Sequence, residues 1–84
     1  MARAPRVTLY SSANCPHCKR AREFLRSRKV PFQELDVGRS VKARKRLESL
    51  GARGVPVILV GDTRVDGFDP GRLARALREH GIAV

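Results

Sequence analysis

The stretch "RVTLYSSANCPHCKRAREFL", residues 6–25, decides the fold, because its hydrophobic period changes halfway. From Arg6 to Tyr10, Val7 and Leu9 alternate with Thr8 and Tyr10, the two-residue repeat of a β-strand. After the loop residues "SSAN", Cys18, Ala21, Phe24 and Leu25 recur at spacings of three and four, the repeat of a helix with one apolar face. Pro16 suits the first helical position, where its missing N–H leaves no bond unmade. The stretch predicts a strand, a short loop and a helix from about Cys15 to Arg28, with Cys15 as its cap.

Downstream, Pro31 keeps that helix from continuing, and "VPFQELDV" predicts a second strand around Phe32, Leu35 and Val37. Ser40 is an N-cap for a second helix that turns Val41, Ala43, Leu47 and Leu50 inward and ends at Gly51. Its other face carries Lys42, Arg44, Lys45 and Arg46. "VILV", Val57 to Val60, is an apolar run too short for a helix and reads as a central strand covered on both faces. Gly61 and Asp62 form a two-residue turn into an antiparallel strand from Thr63 to Asp66. Asp69 caps a last helix opened by Pro70, with Leu73, Ala76 and Leu77 inward and Gly81 near its end.

The order β-α-β-α-β-β-α has a right-handed crossover that makes the first two strands parallel, and its hairpin makes the four-stranded sheet mixed. Helices on both faces are the simplest cover for such a sheet. The expected architecture is an α/β layered domain over residues 1–84.

Eighty-four residues, 42% of them hydrophobic, suit one small folded domain. No run approaches the roughly 18 to 20 apolar residues that span a bilayer. The opening "MARAPRVTLY" has no apolar core of a secretory signal, so a cytoplasmic location and no membrane partner are expected. A net charge of +10 suits anionic partners in general. One Tyr, three Phe and no Trp offer few platforms for stacking bases, which argues against nucleic acid. The cations read as solvated helix faces on a monomer.

Cys15 and Cys18 are the only cysteines. As a structural disulfide they would close a very short loop in a reducing compartment, for little stabilisation. A zinc site wants four ligands, and only His17 and His80 accompany the pair, so no metal is expected. A working dithiol fits better. At a helix cap, Cys15 can accept hydrogen bonds from the free N–H groups of His17 or Cys18, beside the positive end of the helix dipole. Lys19, Arg20, Arg22 and protonated His17 add positive charge that favours a thiolate. Cys18 lies on the core-facing side and is the more protected thiol. Cys15 is therefore read as nucleophile, Cys18 as the resolving thiol that closes a redox-active disulfide with it, and Pro16 and His17 as parts of the catalytic turn.

Three stretches carry a resemblance to the glutaredoxins, within the thioredoxin-like fold: "YSSANCPHC" at 10–18, "GVPVILVGD" at 54–62 and "DGFDPGRL" at 66–73. The resemblance covers almost the whole chain and implies a thiol–disulfide oxidoreductase that reduces protein or glutathione mixed disulfides. It implies a cis bond before Pro56, and a Val55 whose backbone pairs with an extended substrate. It further implies a docking rim of Ser12, Arg53, Gly67, Phe68 and Asp69 around Val55 and Pro56. Ser12 stands where many glutathione-using members carry lysine, and Gly54 replaces a familiar threonine. "GF" and Pro70 resemble instead the small redoxins that serve ribonucleotide reductase and are recharged by thioredoxin reductase. The Pro-His dipeptide is that of DsbA-type thiol oxidases, which implies a potential more oxidising than thioredoxin's. No bound cofactor is expected. The implied partners are disulfide-containing proteins, with glutathione as co-substrate or thioredoxin reductase as donor. A non-enzymatic module holding metal, a cluster or nucleic acid is the alternative of another class.

Overall fold

The computed structural model describes residues 6–84, so the reading of the first five residues lies outside it. Four strands and three helices follow one another as β1 (Val7–Ser11), α1 (Pro16–Ser27), β2 (Gln33–Asp36), α2 (Val41–Ser49), β3 (Val57–Val60), β4 (Thr63–Asp66) and α3 (Pro70–Glu79). The sheet order is β2-β1-β3-β4. β1 and β2 are parallel, while β3 runs antiparallel to both of its neighbours, β1 and β4. This is the mixed sheet of the thioredoxin-like fold, with the expected element order.

The register sorts side chains between two faces. Leu9 lies opposite Ile58 and Val7 opposite Val60, and these four pack with Ala21 and Leu25 of α1 and Leu73 and Leu77 of α3. On the other face Tyr10 lies opposite Val57, and both pack against Leu47 of α2. β1 is therefore buried along its whole length, although its alternating sequence reads as half-polar. Thr8 is drawn inside because β1 is a central strand with helices on both faces. β3 is the other central strand, as its continuous apolar run requires.

Cys15, Ser40 and Asp69 cap the three helices from extended backbone, each side chain accepting an N–H three residues on. Val41 corrects the sequence reading. It is 59% exposed, because it lies two residues before the inward-facing Ala43 and so on the far side of α2.

All three helices end in the same way, with paired backbone bonds back into the last turn. Gly51 and Gly81 supply the left-handed residue for α2 and α3, but in α1 the position falls to Lys29, with φ 56°. This exit, rather than Pro31, stops α1. The left-handed region costs a residue with a Cβ about 1 kcal/mol, so Lys29→Gly should raise unfolding stability by about that amount in urea melts. Unchanged or lowered stability would contradict the assignment. No helix among the described residues is long and apolar enough to cross a membrane.

Candidate functional site

β1 ends at Ser11 and α1 begins at Pro16, so the turn between them brings Cys15 to the carboxyl end of a central strand. Such junctions are where open α/β sheets present reactive groups. Cys15 is half-buried, and Cys18, one turn later, is fully buried. The Cys18 N–H donates to Cys15 Sγ at 3.2 Å, so of the two donors expected from the sequence it is the second that caps the sulfur. The cap sits at the positive end of α1.

The two thiols differ in their surroundings. Burial, together with the hydrogen bond to Cys15, pushes the Cys18 thiol up to about 12. A backbone hydrogen bond from Ser12 and the charge of Arg22 pull weakly the other way. Ser12 thus meets the pair through its backbone, next to the inner sulfur. At neutral pH Cys18 holds its proton.

The loop between α2 and β3 closes the other side. The Val55–Pro56 bond is cis, and the Val55 carbonyl faces the Cys15 thiol across 3.8 Å. Pro56 is buried, and its carbonyl accepts the Gly67 N–H at 2.8 Å, which ties the turn before α3 to the same corner. Gly67 has φ 75°, a conformation that favours glycine. Val55, Pro56 and Gly67 are therefore gathered by backbone bonds beside Cys15.

The remaining residues of the expected rim spread out. Phe68 is half-buried and packs edge-to-face on Phe24 of α1, with ring centroids 5.9 Å apart, so much of its surface belongs to the core. Asp69 is exposed, and one carboxylate oxygen is engaged by the Arg72 N–H at 3.1 Å. Arg53 and His17 are exposed and make no ion pair or side-chain hydrogen bond among the described residues. Pro16 lines, with Asn14, Cys15, Lys19 and Arg22, an open cleft of about 440 Å³.

Of the cations expected to support the thiolate, Lys19 and Arg20 are free and exposed, but Arg22 is not. Its guanidinium grips both oxygens of Glu34, Nε lying 2.7 Å and 3.0 Å from them, and Ser11 donates to the same carboxylate at 2.7 Å. The hydrogen bonds from Arg22 are the main reason that the Glu34 carboxyl is held below the usual range. Arg22 is one turn beyond Cys18, so this pair forms a charged floor under the dithiol.

Glu34 and Ser11 escaped the sequence reading. The signal was strand parity: with Leu35 assigned to the α2 face, Glu34 has to face α1, where a carboxylate needs a cation.

Among the described residues, no three His, Cys, Asp or Glu side chains gather as a metal set would require. A model of the glutaredoxin family matches residues 7–65. The chain is 38% identical over 66 residues to the glutaredoxin of Pseudomonas aeruginosa, across 77% of this chain and 79% of that protein. It is 32% identical over 69 residues to the glutaredoxin-like protein NrdH of Lactococcus lactis, across 82% of this chain and 96% of that one. The solved NrdH-redoxin of Escherichia coli, a glutaredoxin-like protein described for its thioredoxin-like activity profile, superposes with a TM-score of 0.77. It shares 30% identity, over 83% of this chain and 92% of that one.

Proposed function

The chain belongs to the glutaredoxin family and is a thiol–disulfide oxidoreductase related to the NrdH redoxins, and from that premise we propose how its residues divide the work. Cys15 attacks one sulfur of a substrate disulfide, forms a mixed disulfide and releases the first thiolate. Cys18 then loses its proton and attacks Cys15 Sγ, which releases the second thiolate and leaves a Cys15–Cys18 disulfide. A donor returns the two electrons.

The observation that carries this division is the asymmetry of the sulfurs: Cys15 is reachable and hydrogen-bonded at the head of α1, while Cys18 is buried and keeps its proton. In the second step, when Cys15 is tied up in the mixed disulfide, Arg22 is the cation whose charge supports the forming Cys18 thiolate. Glu34, itself held by the Ser11 hydroxyl, holds Arg22 in place and moderates its charge. The edge offered by Val55 seats the extended chain around the substrate disulfide.

The substrates proposed are disulfides of other proteins, met by a monomer in the cytoplasm, where a reduced dithiol is maintained. Two features support a flavoprotein of the thioredoxin reductase kind as donor: the kinship with NrdH redoxins, and Ser12 where a lysine would hold a glutathione carboxylate. One observation favours glutathione instead. The second oxygen of Asp69 is open at the head of α3 and can receive an ammonium group.

The deciding comparison is turnover of one protein disulfide with thioredoxin reductase and NADPH against turnover with glutathione, glutathione reductase and NADPH. The first system should be faster by about tenfold or more, the loss expected when a charged contact to the peptide is missing. Faster turnover with glutathione would make that peptide the working donor.

A further inference from the structure

The two faces of the sheet are unequally covered. The apolar cluster under α1 and α3 has eleven buried members, whereas the cluster under α2, a helix of nine residues, has three. The shortfall leaves a trough along β1 and β2. It consists of two adjoining cavities of about 170 Å³ and about 200 Å³, which share Gln33, Leu35 and Arg46.

Tyr10, Leu35 and Leu59 floor this trough, and Arg6, Arg46 and Lys42 stand along it. No carboxylate lines it, and none lies within 4 Å of these three cations among the described residues. It also borders β2, an edge strand whose outer side pairs with no strand among the described residues.

Helix stability explains Arg46, which lies in the last turn of α2, but not Lys42. The first turn of α2 has no acidic residue, yet it contains Lys42 and is preceded by Arg39, where the helix dipole disfavours cations. A trough that is apolar below, lined by cations without carboxylates and bordered by an unpaired edge complements an extended chain with alternating apolar and acidic side chains.

Position links the trough to the chemistry. β1 and β2 run parallel, so both end on the side of the sheet where the turn to Cys15 begins, and Ser40 and Lys42 mark the end of the trough on that side. Four residues of extended chain span about 13 Å, the length of β2.

We propose that the trough docks an extended acidic segment of the protein whose disulfide Cys15 attacks, with apolar side chains on Tyr10, Leu35 and Leu59 and carboxylates among Arg6, Lys42 and Arg46. The inference rests on protein disulfides being the substrate. Docking there raises the local concentration of the disulfide at Cys15, and the basic surface steers its arrival.

The test uses the reduced 84-residue chain and a six-residue peptide alternating glutamate and leucine, followed by NMR titration. Amide shifts should gather at Gln33, Leu35 and Leu59. Affinity should fall by about fivefold or more in Lys42→Glu and in Arg46→Glu, and should fall with added salt. Lys42→Glu should also raise the melting temperature, since it places an acid in the first turn of α2. A role for Lys42 in folding alone predicts no such divergence between stability and binding.

Turnover of bis(2-hydroxyethyl) disulfide, too small to reach the trough, should stay within about twofold of wild type in both variants. The proposal is overturned by an absence of shifts at those amides, or by unchanged affinity in both variants. It is equally overturned by equal binding of a lysine–leucine peptide, or by tighter binding of a single-stranded oligonucleotide to the same amides. Failure of the redox reading would show separately, as a wild-type chain that cannot turn over the small disulfide.

Discussion

The Cys15→Ser variant should lose disulfide turnover by about a thousandfold or more, because a serine hydroxyl at neutral pH is neither an anion nor a partner for sulfur exchange. Cys18→Ser should behave differently. Its Cys15 can still attack, so the first thiol is released in a single burst, and the protein then accumulates as a mixed disulfide that only an external thiol can resolve. The difference follows from the structure. Cys15 meets solvent at the cap of α1, and Cys18, one turn inward, can reach nothing but Cys15. Intact-mass measurement after mixing with a protein disulfide reads both results. An adduct on Cys15→Ser, or none on Cys18→Ser, would reverse the assignment.

Glutathione as supplied thiol makes the second variant informative about the donor. If Cys18→Ser keeps substantial turnover with glutathione and glutathione reductase, one-cysteine chemistry operates at Cys15. Loss of all activity in that variant argues against the glutathione route and for a dithiol cycle.

The second large effect concerns the charged floor. In the Cys15→Ser background, where only Cys18 can be alkylated, Glu34→Gln should speed its reaction with iodoacetamide at pH 9, and Arg22→Gln should slow it. The sign follows from electrostatics. Glutamine keeps an oxygen to accept from Arg22 but removes the negative charge that offsets the guanidinium, so the forming thiolate meets more net positive charge. Removing Arg22 leaves the Glu34 carboxylate and withdraws the attraction.

Each change of one in the Cys18 pKa alters its thiolate fraction about tenfold at a pH well below that value. Burial, the largest cause of the raised Cys18 pKa, remains in the Cys15→Ser background, so most of this thiol is still protonated at pH 9. A role of the pair in packing alone would move both variants in the same direction, through a looser structure. Opposite movement is therefore the mark of an electrostatic role, and parallel movement would contradict it.

Much of this site was legible before any coordinates. The change of period within residues 6–25 puts Cys15 at a strand-to-helix junction, and the offset of three then sends Cys18 inward. The capping residues Ser40 and Asp69 were readable for a local reason, since a polar side chain followed by helical periodicity admits few other uses. The cis bond before Pro56 came by resemblance, because local chemistry alone favours trans.

Most of what escaped depended on neighbours distant in sequence. Glu34 looks like an ordinary charge in a strand until β2 is set beside β1 and Arg22 is brought across from α1. Thr8 is buried for the same reason, since the elements that cover β1 come later in the chain. Val41 was misread for a local reason: two residues before the inward-facing Ala43, it lies on the far side of α2.

The central claim, that Cys15 attacks and Cys18 resolves, is tested most directly by labelling the reduced wild-type chain at pH 7 with a limiting amount of iodoacetamide, then locating the label by fragmentation. The account predicts label on Cys15 with Cys18 still free. Label on Cys18 first, or equally on both, would contradict it.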